Sequence, residues 1–360
     1  MKRPARQGSE QVDGQEATRR AFIKHVGSAA AASLLADAGG LFAQQLAAPK
    51  DGKINQSEKA GANAPTDGAP IAACDGNPRT VVRVSSEKII PLRVVQKIML
   101  KNALSAGLRG LTGESNEADA WHRILAPDDV ILLKFNQSAA ERLGTTPPLV
   151  NAVLASLLSA GWGPERIVVL EAESADSPPL RLTRRPDMRW QDREVDFGAC
   201  GKDAFMAALD QVSAIVNVPF LKTHHLATMT GCLKNLSHGL IRHPARFHAH
   251  GCDPAIGQIV ASPPIRQKLR LNIVNALRVV FDGGPEATDE AIHTAGTLLI
   301  GCDPVACDAI GYGILNEIRS LRNMPPLLAR AATPAQLSTA ARLGVGEADT
   351  ERIPLQLVEL

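Results

Sequence analysis

From Thr80 onward, apolar runs of strand length alternate with stretches of helical spacing. Thr80–Val84 reads as a short strand. Val94, Val95, Ile98, Met99 and Leu104 then recur at helical intervals, predicting a helix from about Leu92 to Ala106 that Gly107 and Gly110 end. Residues 129–136 form an apolar strand. Pro147 and Pro148 open a helix with Val150, Val153, Leu154, Leu157 and Leu158 on one face, and residues 166–171 follow as a second strand. Strand, helix and strand in about forty residues predict a right-handed parallel βαβ unit. A short helix at Asp203–Leu209 feeds a strand at 213–218, and further strands follow at 273–281 and 297–301. Asp303 and Pro304 mark a helix start, and that helix runs to about Ile318. Residues 334–343 predict a short helix, and 353–360 are a last apolar run. The uniformly apolar strands predict an α/β fold: a mostly parallel sheet with helices on both faces, in Rossmann-like layers, as one main domain.

Five of these strands end in polar groups: Lys134 and Asn136; Glu171 and Glu173; Lys222, Thr223, His224 and His225; Asp282; and Asp303. In a parallel sheet these ends converge on the edge where α/β folds place ligands. The competing reading is that strand ends simply face water, with Asp303 a helix cap. The densest chemistry lies between Val216 and Arg242. There Thr230-Gly231-Cys232-Leu233-Lys234-Asn235 resembles a loose anion cradle, without the spacing of a P-loop. Lys134, Lys222 and Lys234 are expected to hold an anion that Asn136 orients, with Thr223, Thr230, Asn235, Asp282 and Asp303 in the ligand-binding set. His224 or His225 would be acid or base. The alternative for Lys134 is a structural ion pair with Glu171.

Six of the nine histidines fall between His224 and His250. His248, His250 and Cys252 stand at i, i+2 and i+4, so an extended segment would aim all three one way, as for a divalent transition metal. The other reading is a polar loop with solvated histidines. Cys302 and Cys307 read as small core residues. No C-x-x-C pair occurs, so iron–sulfur ligation has no local motif.

Composition adds an address. Thr18-Arg19-Arg20-Ala21-Phe22-Ile23-Lys24 has the twin-arginine pattern, followed by an alanine-rich run too short to span a membrane. Residues 1–43 are therefore expected to be a twin-arginine export signal, with the translocation machinery as partner. The mature chain would be periplasmic or in the cell envelope, without a stable membrane span. Residues 44–79 read as a disordered linker, 80–320 as the α/β domain and 321–360 as an extension packed on it. The first 43 residues carry six Lys/Arg and four Asp/Glu, which leaves the remainder neutral and argues against a nucleic-acid partner.

Ala120-Trp121, Asp128 to Asn136, Val218 to His224, Thr230 to Asn235, Asp282-Gly283-Gly284-Pro285 and Asp303 to Asp308 together resemble the domain of unknown function 362 family, in its twin-arginine-exported branch. The resemblance runs from about residue 80 to 320. It implies one shared ligand site at the polar strand ends, and it carries no particular reaction. Some relatives add a cysteine-rich iron–sulfur segment, which this chain lacks. The expected function is a cell-envelope enzyme acting on an anionic small molecule, with metal assistance as an option. A non-catalytic metal- or metabolite-binding protein is the alternative.

Overall fold

The structure, a computed structural model, describes residues 77–172, 183–286, 288–328 and 333–360. The expected export signal, nearly all of the expected linker, and Glu173 lie outside the described residues.

Among the described residues, the strands are β1 (Val81–Ser85), β2 (Ile131–Lys134), β3 (Ile167–Leu170), β4 (Trp190–Asp196), β5 (Lys202–Met206), β6 (Ala214–Asn217), β7 (Phe220–His224), β8 (Thr228–Thr230), β9 (Leu269–Val280), β10 (Ile292–Gly301) and β11 (Leu355–Glu359). The α-helices of the described residues are α1 (Lys97–Thr112), α2 (Glu117–Ile124), α3 (Ala140–Leu143), α4 (Thr146–Ser159), α5 (Cys232–His238), α6 (Ala255–Ala261), α7 (Pro263–Arg266), α8 (Pro304–Leu321) and α9 (Ala335–Arg342). The main sheet runs β11-β1-β10-β9-β6-β2-β3, with β7 also paired to β9 and β8 to β7. Alternation along each strand supplies two cores. Ile131 and Leu133 face α1, α2 and α4, where Leu104, Trp121 and Leu154 pack. Leu132 and Ile215 face the other side, where Leu236 of α5, Ile259 of α6 and Leu315 of α8 pack. The expected α/β fold with helices on both faces is the one observed.

The sheet is mostly parallel, as expected, and it is mixed at β10, whose end the sequence reading placed with the others. β2, β3, β6, β7 and β9 are mutually parallel neighbours, but β10 is antiparallel to both β9 and β1. The end of β10 therefore does not join the ends of the other strands, and Asp303 lies apart from them. Residues 203–206 are strand β5 rather than the expected helix, because they pair with β4 as a two-stranded sheet. Helix α1 begins later than expected and passes through Gly107 and Gly110. A Cβ on Gly107 would lie 2.3 Å from Ile300 Cδ1, so that glycine lets the helix approach β10 instead of ending it. The helix stops at Gly113, at φ 77°, whose N–H donates to the Arg109 carbonyl.

The central stretch differs most from a simple loop. Pro219 interrupts the strand but does not end it. β6 pairs with the first part of β9 (Asn217 opposite Asn272), and β7 pairs further along it (Lys222 opposite Val280). Between them the Asn275 N–H donates to the Pro219 carbonyl at 2.8 Å. Lys222, Thr223 and His224 are thus buried strand residues. The β7–β8 hairpin then leads directly into α5.

Candidate functional site

Register places the chemistry. Lys222 lies opposite Thr230 and His224 opposite Thr228 across the β7–β8 ladder, so these four side chains share one face. Thr223 points the other way and accepts a hydrogen bond from Gly284 N–H at 3.0 Å. A Cβ on Gly284 would sit 2.0 Å from the Thr223 carbonyl oxygen, so the turn after β9 needs glycine to close against β7.

Lys134 has no exposed surface and commits its ammonium to the protein: Glu171 Oε2 at 3.0 Å, Phe135 O at 2.7 Å and Asn235 Oδ1 at 3.1 Å. Burial lowers its pKa and Glu171 opposes the shift. This is the structural ion pair rather than a free anion anchor. Asn235 Oδ1 also accepts from Asn136 at 3.0 Å, and Asn235 Nδ2 donates to Asn217 Oδ1 at 2.8 Å. Asn217 in turn donates to Asn272 Oδ1 at 2.9 Å, so buried amides tie α5 to β2, β6 and β9.

The expected anion cradle is filled from within the chain. The N–H groups of Cys232 and Leu233, at the start of α5, donate to the Asp308 carboxylate at 2.5 and 3.0 Å. A Cβ on Gly231 would meet Asp308 Oδ1 at 2.1 Å, which accounts for the glycine. Burial pushes Asp308 up to about 6. Asp303 and Asp282 are also structural. Asp303 caps α8 through Val305 and Ala306 N–H and accepts from Glu347 N–H, and burial holds its pKa at about 6. Asp282 is exposed and pairs with Arg319 at 2.8 Å.

Lys222 is 1% exposed and donates to Ser138 O at 2.7 Å, Ser138 Oγ at 2.9 Å and Asn136 Oδ1 at 3.3 Å. These acceptors are neutral, and burial lowers its pKa to about 8. Lys234, from α5, is 7% exposed and also lowered to about 8 by burial. Its ammonium meets His248 Nε2 at 3.3 Å. Among the described residues no carboxylate lies within ion-pair distance of Lys234.

Three imidazoles, those of His224, His238 and His248, lie near this lysine, and His225 extends the group. His224 stacks on His225 with ring centroids 5.0 Å apart and on His248 at 6.0 Å; His238 meets His248 edge-on at 4.6 Å. His224 Nδ1 accepts from the N–H groups of Leu226 and Ala227 at 3.1 and 3.2 Å, which fixes the proton on Nε2. Burial first, then Lys234 and the neighbouring imidazoles, hold its pKa at about 3. His224 is therefore a neutral N–H donor, not the acid or base expected. His225 is exposed, and its Nδ1 donates to the Gly284 carbonyl at 3.3 Å, which leaves the Nε2 lone pair free.

The candidate metal group differs from the sequence reading by one residue. His238, His248 and Cys252 bring their ligand atoms within 4.8 Å of one another. His250 is exposed and outside the group, because the loop is not extended: His250, Gly251 and Cys252 take φ values of 52°, 70° and 65°. His238 takes the place in the group that the sequence reading gives to His250. Its one sequence signal was the position four residues after Lys234 on a helix, which puts both on one face.

Cys302 is disulfide-bonded, while Cys232, Cys252 and Cys307 are buried free thiols. A cavity of about 760 Å³ is lined by Arg184, Asp187, Arg189 and Trp190 and shares no residue with the imidazole cluster. Its Asp187–Arg189 pair, at 2.7 Å, is self-neutralised. Uncompensated charge and free lone pairs, not hollow size, mark the cluster as the candidate site.

The fold and site define an α/β protein with a lysine- and histidine-lined site at the ends of parallel strands. Residues 131–313, just over half the chain, match the model of the domain of unknown function DUF362, and the chain belongs to that family. No curated protein matches the chain.

Proposed function

We propose that this chain is an exported cell-envelope enzyme that binds an anionic small molecule at the end of β7. Lys234 carries the reading: a nearly buried lysine without a carboxylate partner among the described residues is costly unless an anion completes it. Lys222 adds charge behind it. The Nε2–H of His224 is held neutral and serves as a donor toward a developing oxyanion. His225 Nε2, exposed and unprotonated in its neutral tautomer, is the general base. The Thr18–Lys24 pattern and the disulfide at Cys302 support an oxidising, post-export compartment, reached by the twin-arginine route. Among the described residues no helix is long and apolar enough to cross a membrane.

Thermal melts of the wild type and Lys234→Met against inorganic phosphate, sulfate and small carboxylates test the reading. A ligand at about 100 times its Kd stabilises the folded state by about 2.7 kcal/mol. At least one anion is expected to raise the wild-type Tm and to leave Lys234→Met unmoved. No shift with any anion, or an equal shift in the variant, contradicts the proposal. An anion that binds without turnover in His225→Ala and wild type alike favours the non-catalytic alternative.

A further inference from the structure

We infer that His238, His248 and Cys252 form a zinc-type metal site with an open fourth position facing Lys234. This deepens the anion reading, because the fourth position would be filled by the same anion that Lys234 holds. Four observations carry it. The three ligand atoms already lie within 4.8 Å of one another. Tetrahedral zinc, at about 2.0–2.1 Å from nitrogen and about 2.3 Å from sulfur, holds such atoms about 3.5 Å apart. The free ring nitrogens are the correct ones. His248 Nδ1 donates to the Pro244 carbonyl at 3.0 Å, which turns the Nε2 lone pair inward. His238 Nδ1 meets Ser237 Oγ at 3.0 Å, and its Nε2 is buried without a well-formed hydrogen bond to the described residues.

The loop geometry points the same way. Left-handed backbone at His250 and Cys252 is uncommon for non-glycine residues. This winding turns the Cys252 thiol into the core and leaves His250 in solvent. The donor set then selects the ion. Two imidazoles and a thiol, with no carboxylate, suit zinc or a comparable transition metal and not magnesium or calcium. Lys234 Nζ lies 3.3 Å from His248 Nε2, so the ammonium stands beside the nitrogen that a metal would take. When metal takes that nitrogen, the ammonium is released toward the fourth ligand.

The full chain, purified reduced and metal-free, is titrated with zinc and with cobalt. One equivalent per chain is expected to bind. The cobalt form should show intense tetrahedral d–d bands and a thiolate charge-transfer band. Cys252→Ser should remove the charge-transfer band. His238→Ala should weaken binding by more than the roughly 100-fold that losing an outer-shell partner costs. His250→Ala should bind as the wild type does. Far-ultraviolet circular dichroism checks that each variant is folded, and the wild-type cobalt spectrum decides the case alone if one is not. No stoichiometric uptake, an octahedral spectrum without the thiolate band, or equal loss in His250→Ala overturns the inference. Added phosphate separates the two readings. Metal uptake with no spectral response to any anion leaves the metal site standing and removes the anion. An anion-dependent Tm shift without metal uptake does the reverse.

Discussion

The ion pair between Lys134 and Glu171 is unequal in its surroundings. Lys134 has no exposed surface, whereas the Glu171 side chain is 25% exposed. Removing Glu171 strands an ammonium in the core, while removing Lys134 leaves a carboxylate that water still reaches. Breaking a buried pair by losing one partner costs about 3–5 kcal/mol. Glu171→Gln is expected near that range and Lys134→Met below it, at about 2 kcal/mol once solvent screening is allowed for. Urea denaturation of both variants, without ligand, checks the order. Lys234→Met should behave oppositely, with apo stability unchanged or raised, because among the described residues it leaves no carboxylate stranded. The three lysines were equally visible in the sequence. What separates them is the partner each meets across the sheet, and single-sequence reading cannot supply that.

At the scale of the element, α5 is held by a carboxylate from α8. Asp308 accepts from the first two N–H groups of α5 and is pushed up to about 6, chiefly by burial. A folded-state pKa above the unfolded value of 3.8 means that the native protein takes up a proton first as the pH falls. Its contribution is fully present below the unfolded value and is lost as the pH rises through about 6. Asp308→Asn, which cannot titrate, should therefore lose ground to the wild type as the pH falls from 7 to 4, by at most about 1.4 kcal/mol per pH unit. Denaturation curves across that range check the sign. Gly231→Ala should cost more than Asp308→Asn, since its Cβ would collide with the Asp308 carboxylate that holds the start of the helix. The element boundaries were legible where hydrophobic period and caps agreed, as for β2, α4, β3 and the Asp303-Pro304 start of α8. They were not legible at Gly107, where close packing on Ile300 outweighs the usual helix-ending role of glycine, or at 203–206, where pairing with β4 decides.

For the whole molecule, the parallel layers followed from uniformly apolar strands, but strand direction did not. The buried half of β10, Thr297–Gly301, reads as apolar as the parallel strands, and only its antiparallel pairing with β9 and β1 shows that it runs the other way. That reversal removes Asp303 from the expected edge and leaves the site to β7, α5 and the loop before α6. The loop histidines were legible as a group. The exchange of His250 for His238 was not, because it depends on three consecutive left-handed residues. Export belongs to this scale as well. Arg19→Lys combined with Arg20→Lys should leave the precursor in the cytoplasm by cell fractionation, and normal periplasmic accumulation would remove the address.

The most direct measurement is a crystal structure of the full chain grown with zinc and phosphate, with data collected at the zinc edge. The account predicts one strong anomalous peak between His238, His248 and Cys252. It also predicts an oxyanion bridging the metal and the Lys234 ammonium, with His224 Nε2 directed at it. A peak on His250, an ion bound only at surface carboxylates, or a phosphate away from Lys234 would contradict it.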